Sequence, residues 1–381
     1  MKSALALCLA LVAGPTTRGL AATVGFAAAP GSPIKIPGGG HTFAVGEVND
    51  DKKMHLVVVG KDDGLRVLRG NGDGTFAPTL NSPVKLPHGA GETLLADLNG
   101  DGQLDWAGAH HDYYDVVVML GNGHGEFSPA PGSPFRTREG QHPHTHALVT
   151  GDVNGDGKLD LVTANNSDND VSVLLGDGKG GFAPAAGSPF PAGPGPYPLA
   201  LADVNGDAKL DLIVPNPKPG ARRITLLLGD GHGGFRPATK SPFSTDDRPY
   251  FVAVADLDND RTLDVVATHG DSDLLTVLLG DGKGDFRMAP HSPLRLGSRV
   301  FEIVAVDIDR DGHRDLAAAG EKGVAILLGD GRGSFRRAKG SPFRTGKGTW
   351  RLAVVDLDGD GKLDIVAGNV ESDDITVLLG K

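Results

Sequence analysis

The chain has 381 residues with 57 Gly, 26 Pro, few aromatic residues, a single Cys and a formal net charge of −11 at pH 7. The acidic balance, with no basic stripe carrying interleaved aromatics, argues against nucleic acid as a partner. One Cys cannot make a disulfide framework.

In chain order, the leader comes first. Lys2 precedes an apolar run from Ala4 to Ala13, then Gly14, Pro15 and small residues ending at Ala22. This pattern predicts a secretory signal peptide over 1–22, cleaved near Ala22, and a mature chain of 23–381. The apolar run is too short to span a bilayer, so no transmembrane segment is expected. Cys8 lies inside the run. A lipoprotein anchor there is the alternative, and Leu7 fits it poorly because a small residue is expected at that place. The expected location is secreted, periplasmic or cell-surface. A mature chain without Cys points to metal rather than disulfides as its staple.

Beyond the leader, short β-branched and Leu runs alternate with Gly, Asp and Asn turns, which reads as all-β. The segment 152–160, DVNGDGKLD, organises the rest. It sets side-chain oxygens at positions 1, 3, 5 and 9, on Asp152, Asn154, Asp156 and Asp160, with Gly157 free to take a positive φ. Hard oxygen donors in a tight loop are what Ca²⁺ prefers. The loop is not an EF-hand, because it closes on Asp at position 9 and runs straight into a strand-like segment. First positions recur at Glu47, Asp97, Asp152, Asp203, Asp256, Asp307 and Asp356, 49 to 55 residues apart. Seven units at a near-constant period mean a repeat architecture.

Each unit contains four strand-like runs, here A to D. In the third unit these are 146–151, 158–165, 170–176 and 181–190, with the acidic loop between A and B. Asp177-Gly178 between C and D is a hairpin signal. Four antiparallel strands per unit, seven times over, predict a seven-bladed β-propeller. Run D carries Phe-x5-Ser-Pro, as in Phe182 to Pro189, and its Pro suits an outer edge strand. The chain stops just after a C run, while Phe26, Ser32 and Pro33 near the mature N-terminus have the D-run spacing. The N-terminal segment should therefore pair with run C of the last unit and close a monomeric ring.

Tandem D-x-[DN]-x-D-G-x-x-D loops, each followed by a strand and LLGDGxGxF, resemble FG-GAP/VCBS repeats. Those repeats build the seven-bladed propeller of the integrin α-subunit head and occur in many secreted bacterial proteins. The resemblance implies one Ca²⁺ per loop, about four to six in all. The implied ligands are Asp97, Asn99, Asp101 and Asp105; Asp152, Asn154, Asp156 and Asp160; Asp307, Asp309, Asp311 and Asp315; and Asp356, Asp358, Asp360 and Asp364. Asp203, Asn205, Asp207 and Asp211 also match, with Ala208 for the glycine, and so do Asp256, Asp258, Asp260 and Asp264, with Arg261 there. Left-handed non-Gly residues cost about 1 kcal/mol, so these two loops are expected to bind more weakly. The first loop has Glu47, Asn49 and Asp51, then Lys52 for Gly and His55 for the closing Asp, and is expected to be empty. The metal is read as scaffold.

The A–B loops of a propeller share one face, and the D–A and B–C loops the other, which leaves the second face for a ligand. Six residues before each loop stand His41, Gly91, His146, Tyr197, Tyr250, Phe301 and Trp350. This column is either a stacking platform for a sugar or the filling of the channel. The B–C loop of unit 2 supplies His110, His111, Tyr113 and Tyr114, and the D–A loop of unit 3, four residues longer than the others, supplies His142, His144 and His146. Adjacent blades should bring them together for glycan or protein contact, for a transition metal, or for acid–base chemistry like that of His/Tyr pairs in some propeller polysaccharide lyases. Three functions follow: a binding or adhesion module for glycan or protein; a polysaccharide-acting, lyase-like enzyme; or a structural surface protein. The lack of a nucleophile motif favours the first over the second.

Overall fold

The structure, a computed structural model, describes residues 24–36, 40–79, 82–141 and 143–381. The leader with Cys8, the residue His142 and the side chain of His41 lie outside what is described.

Seven antiparallel sheets each run A-B-C-D, and the described residues contain no helix. Strand B begins at the closing residue of the acidic loop, as in Asp160–Asn165. Strand C ends on a glycine in every blade, as in Asp170–Gly176. The reason is steric: a Cβ at Gly176 would sit 2.2 Å from the carbonyl oxygen of Leu159, and Gly121, Gly229, Gly280 and Gly329 meet the same obstacle.

Strand D is not one run. Three residues, Phe182–Pro184 in blade 3, pair with the end of strand C, and two more after the Ser-Pro pair with its beginning. Between them the chain bulges away, and all seven Ser-Pro bonds are cis. The serine restores the ladder. Ser188 Oγ accepts the N–H of Val173, and Ser32, Ser82, Ser133, Ser241, Ser292 and Ser341 do the same for their own C strands. An N–H in a buried strand needs a partner, and a hydroxyl can supply it where the neighbouring backbone has bulged away.

Phe26–Ala28 pairs with Asp374–Gly380, so the N-terminal segment is strand D of blade 7. Ile34–Lys35 adds the second piece of that strand. The expected ring closure is present. The core is divided accordingly into seven clusters, each shared by two consecutive blades. One joins Phe43 and Leu56 of blade 1 to Val366 and Val377 of blade 7. Strands buried on both faces explain the continuous apolar runs in B and C.

Candidate functional site

The seven acidic loops hold the geometry their sequence implies. Gly157 is left-handed at φ 81°, and so are its non-Gly counterparts Lys52, Ala208 and Arg261 at 63°, 63° and 70°. The fourth position is left-handed too, even where it is Asp50, Asn259 or Arg310. The first aspartate gathers loop N–H groups: Asp152 Oδ1 accepts from Gly155 and Asp156, and Oδ2 from Gly157. The closing aspartate is buried and turned to the backbone. Asp160 Oδ2 accepts from Val153 and Oδ1 from Gly176, which ties loop, strand B and strand C together. The same pair of bonds is made by Asp105, Asp211, Asp264, Asp315 and Asp364. Burial raises these carboxyls, Asp105 and Asp211 to about 6 and Asp264 and Asp315 to about 7.

Carboxylate oxygens at positions 1, 3 and 5 converge. Those of Asp256, Asp258 and Asp260 lie within 4.8 Å of one another, as do those of Asp307, Asp309 and Asp311 and of Asp356, Asp358 and Asp360. Four oxygens in these groups are buried without a hydrogen-bond partner: Asp256 Oδ1, Asp258 Oδ1, Asp307 Oδ1 and Asp309 Oδ2. Buried carboxylate oxygens left without donors are what a cation would satisfy. Loop 1 differs. Arg69 reaches Asp51 at 3.3 Å, and the buried His55 takes the closing place with neither ring nitrogen hydrogen-bonded.

On the opposite face the column becomes an arc of rings. Ring centroids lie 4.1 Å apart for His146 and Tyr197, 4.2 Å for Tyr197 and Tyr250, 6.0 Å for Tyr250 and Trp350, and 4.2 Å for Phe301 and Trp350. A register shift in strand A marks this position in five blades: between Gly40 and Thr42, His146 and Leu148, Pro249 and Val252, Val300 and Ile303, and Thr349 and Arg351. A bulge re-aims the side chain it carries, here toward the channel mouth. Gly91, the one column position without a ring, makes room for another: a Cβ there would meet the His111 ring at 3.6 Å. His111 then lies 4.2 Å from His146, extending the arc.

The histidine sector divides in two. His111, His144 and His146 form one group, with centroids 4.2 to 5.4 Å apart. His110 and Tyr113 join His88 in the other, where Tyr113 stacks on His88 at 4.0 Å and His88 Nε2 is 2.8 Å from Asp115. Nothing in the residue pattern pointed to His88. Tyr114 does not meet the histidines. It is buried beneath the long loop, its hydroxyl donates to Asp168 at 2.5 Å, and Arg138 lies over its ring while paired with Asp170. Burial, with the Asp168 carboxylate beside it, raises that phenol to about 12.

Sequence reasoning also missed the plug of the channel. Arg351 is buried, 2.5 Å from Glu92, 3.8 Å from Glu302, donating to the Gly91 carbonyl and lying over the Phe251 ring. Glu302 accepts the Leu352 N–H through Oε2, while Oε1 has no hydrogen-bond partner. Burial pushes its carboxyl up to about 7. Two cavities flank the plug on the ring face. One of about 770 Å³ is lined by Tyr250, Phe301, Trp350, Arg299 and Arg344 among others. One of about 570 Å³ is lined by His110, His111, His146, Tyr197, Glu92 and Trp350 among others.

A family profile described as FG-GAP-like repeat matches residues 47–108, 97–163, 152–214, 219–267, 256–318 and 307–367. The chain belongs to the FG-GAP-like repeat family. Among curated proteins no relative matches. Solved structures share the fold at low identity. A lectin of Agrocybe aegerita, which recognises non-reducing terminal N-acetylglucosamine, is 23% identical with a TM-score of 0.56, over 80% of this chain and 81% of that one. A putative 6-phosphogluconolactonase of Bacteroides fragilis is 15% identical, TM-score 0.60, over 84% and 87%. Virginiamycin B lyase of Staphylococcus aureus is 11% identical, TM-score 0.56, over 93% and 98%. In this FG-GAP propeller, as in those three, likeness at such identity fixes the fold alone.

Proposed function

We propose that this FG-GAP propeller is an exported, Ca²⁺-stabilised binding module that takes a glycan on its ring face. The observation that carries the reading is the arc of His111, His146, Tyr197, Tyr250, Trp350 and Phe301 on the face away from the acidic loops, beside two open cavities. Aromatic faces with polar rims suit sugars, whose rings offer apolar C–H faces and a fringe of hydroxyls. The lectin among the structural neighbours supports the same ligand class. A protein ligand on the same face is the alternative within this class.

The calcium loops serve stability. Positions 1, 3 and 5 would hold the ion, and the partnerless oxygens of loops 5 and 6 fit it. When bound, Ca²⁺ supplies charge balance and cross-links strand A to strand B. The leader supports export. A lyase-like reading needs a tyrosine beside the histidines, and the engagement of Tyr114 with Asp168 removes one of its two candidates.

The test is a glycan array probed with wild-type protein and Trp350→Ala, both in saturating Ca²⁺. The reading predicts binding to a defined glycan set by the wild type and its loss, by about 10-fold or more, in the variant, since one base or sugar-sized stacking contact is worth roughly 1–3 kcal/mol. Equal binding by both proteins would move the site off the ring face. No binding by either would favour the structural-protein reading.

A further inference from the structure

We infer that His111, His144 and His146 form a transition-metal site at the seam between blades 2 and 3, separate from the calcium loops and additional to the glycan reading. Ring nitrogens of the three, one from each, lie within 4.8 Å of one another. Three imidazoles around an ion at 2.0–2.1 Å would stand about 3.4 Å apart in a tetrahedral site. Small ring rotations close that gap, and His111 and His144 are exposed enough to make them.

The backbone holds the group in place. His144 and His146 flank Thr145, whose N–H donates to the His111 carbonyl at 3.2 Å and whose hydroxyl donates to the Tyr113 carbonyl at 3.0 Å. The loop of blade 2 is thereby pinned to the innermost strand of blade 3 at the point where the three rings meet. Asn166 N–H holds the His144 carbonyl from the other side at 2.8 Å. Gly91 leaves the space that His111 occupies. Ligand orientation set by a rigid frame is what a metal site requires.

The chemistry of the donors selects the ion. Neutral imidazole binds Zn²⁺, Ni²⁺ and Cu²⁺ and is a poor ligand for Ca²⁺, which takes oxygen. His146 is buried, and burial together with His111 and His144 keeps it from accepting a proton, so its ring is in the ligand form. The same crowding disfavours an anion-binding role, which would need these rings charged. The nearby Arg351 is already engaged by Glu92 and Glu302. Three protein ligands leave a fourth tetrahedral position, and the cavity of about 570 Å³ that His111 and His146 line gives water or a ligand oxygen room to occupy it.

The experiment titrates Co²⁺ into full-length mature protein, freed of any affinity tag and saturated with Ca²⁺. Absorption reports the tetrahedral ion, and Zn²⁺ displaces it. Wild type should take one Co²⁺ with visible d–d bands, and His144→Ala and His111→Gln should each lose affinity by about 10-fold or more. His88→Ala, in the adjoining ring group, should bind as wild type does. Thermal melting in Ca²⁺ establishes that each variant is folded. Absence of Co²⁺ and Zn²⁺ binding by folded wild type would overturn the proposal. So would unchanged affinity in His144→Ala, or a loss confined to His88→Ala.

Discussion

Replacing Arg351 by Met removes the cation at the centre of the ring. Its guanidinium is buried against Glu92 at 2.5 Å and faces Glu302 at 3.8 Å, a distance too long for a hydrogen bond. Removing one partner of a buried ion pair costs about 3–5 kcal/mol, because the other charge stays buried without compensation. For a chain of this length that is roughly 6–10 °C in Tm, at about 2 °C per kcal/mol. The loss depends on pH. The Glu302 carboxyl is raised from 4.5 to about 7, chiefly by burial. Between those values the folded protein holds a proton that the unfolded chain has released, so this group's contribution falls as pH rises from 4.5 through 7, by about 1.4 kcal/mol per unit at most. Without Arg351 the carboxyl rises further, and the variant should be most destabilised near pH 8 and least near pH 5. Differential scanning calorimetry at both pH values, in saturating Ca²⁺, reads this directly. The double variant Arg351→Met/Glu302→Gln should recover part of the loss at pH 8. An Arg351→Met protein with wild-type Tm at pH 8, or with the same deficit at both pH values, would refute the reasoning.

Three further predictions concern the repeat. Ser241→Ala leaves the Leu226 N–H without its acceptor and should cost about 1–3 kcal/mol, with faster hydrogen exchange at Leu226; unchanged exchange would show that the hydroxyl is not needed there. Ala208→Gly relieves a left-handed residue at φ 63° and should strengthen Ca²⁺ binding at loop 4 by a few-fold, from about 1 kcal/mol of relief, read by isothermal titration against Asp203→Ala. Removing residues 24–36 strips blade 7 of strand D and takes Phe26, Ala29 and Ile36 from two inter-blade cores. The shortened chain should lose its cooperative melt, and supplying the segment as a peptide should restore it.

The architecture was legible because it is repeated. One acidic loop is an ambiguous turn, whereas seven at a common spacing fix strands, blades and closure together. The Ser of Phe-x5-Ser-Pro was visible as a pattern but not as a function, since its role exists only once strand D bulges away from strand C. Bulges hid the plug as well. Strand alternation assigns Arg351 and Trp350 to opposite sides, and the register shift at that point brings Trp350 to the mouth and Arg351 into the channel. Gly91 read as a gap in the ring column, yet a residue from the next loop fills it, and no spacing rule links Gly91 to His111. The histidine cluster was foreseen from adjacent blades sharing a face. The place of Tyr114 was not, because Asp168 and Arg138 lie far from it in sequence and draw it under the long loop.

The claim on which the division of faces stands is that the acidic loops are a calcium scaffold. Thermal unfolding of the mature protein in excess Ca²⁺ and in EGTA, with metal content by mass spectrometry, tests it most directly. The account predicts about four to six Ca²⁺ per chain and a Tm raised by 10 °C or more over the EGTA sample, as several sites of micromolar or tighter affinity would produce. A chain without bound Ca²⁺ and with the same Tm in both buffers would contradict it, and the loops would then be turns held by their own Asp-to-backbone bonds.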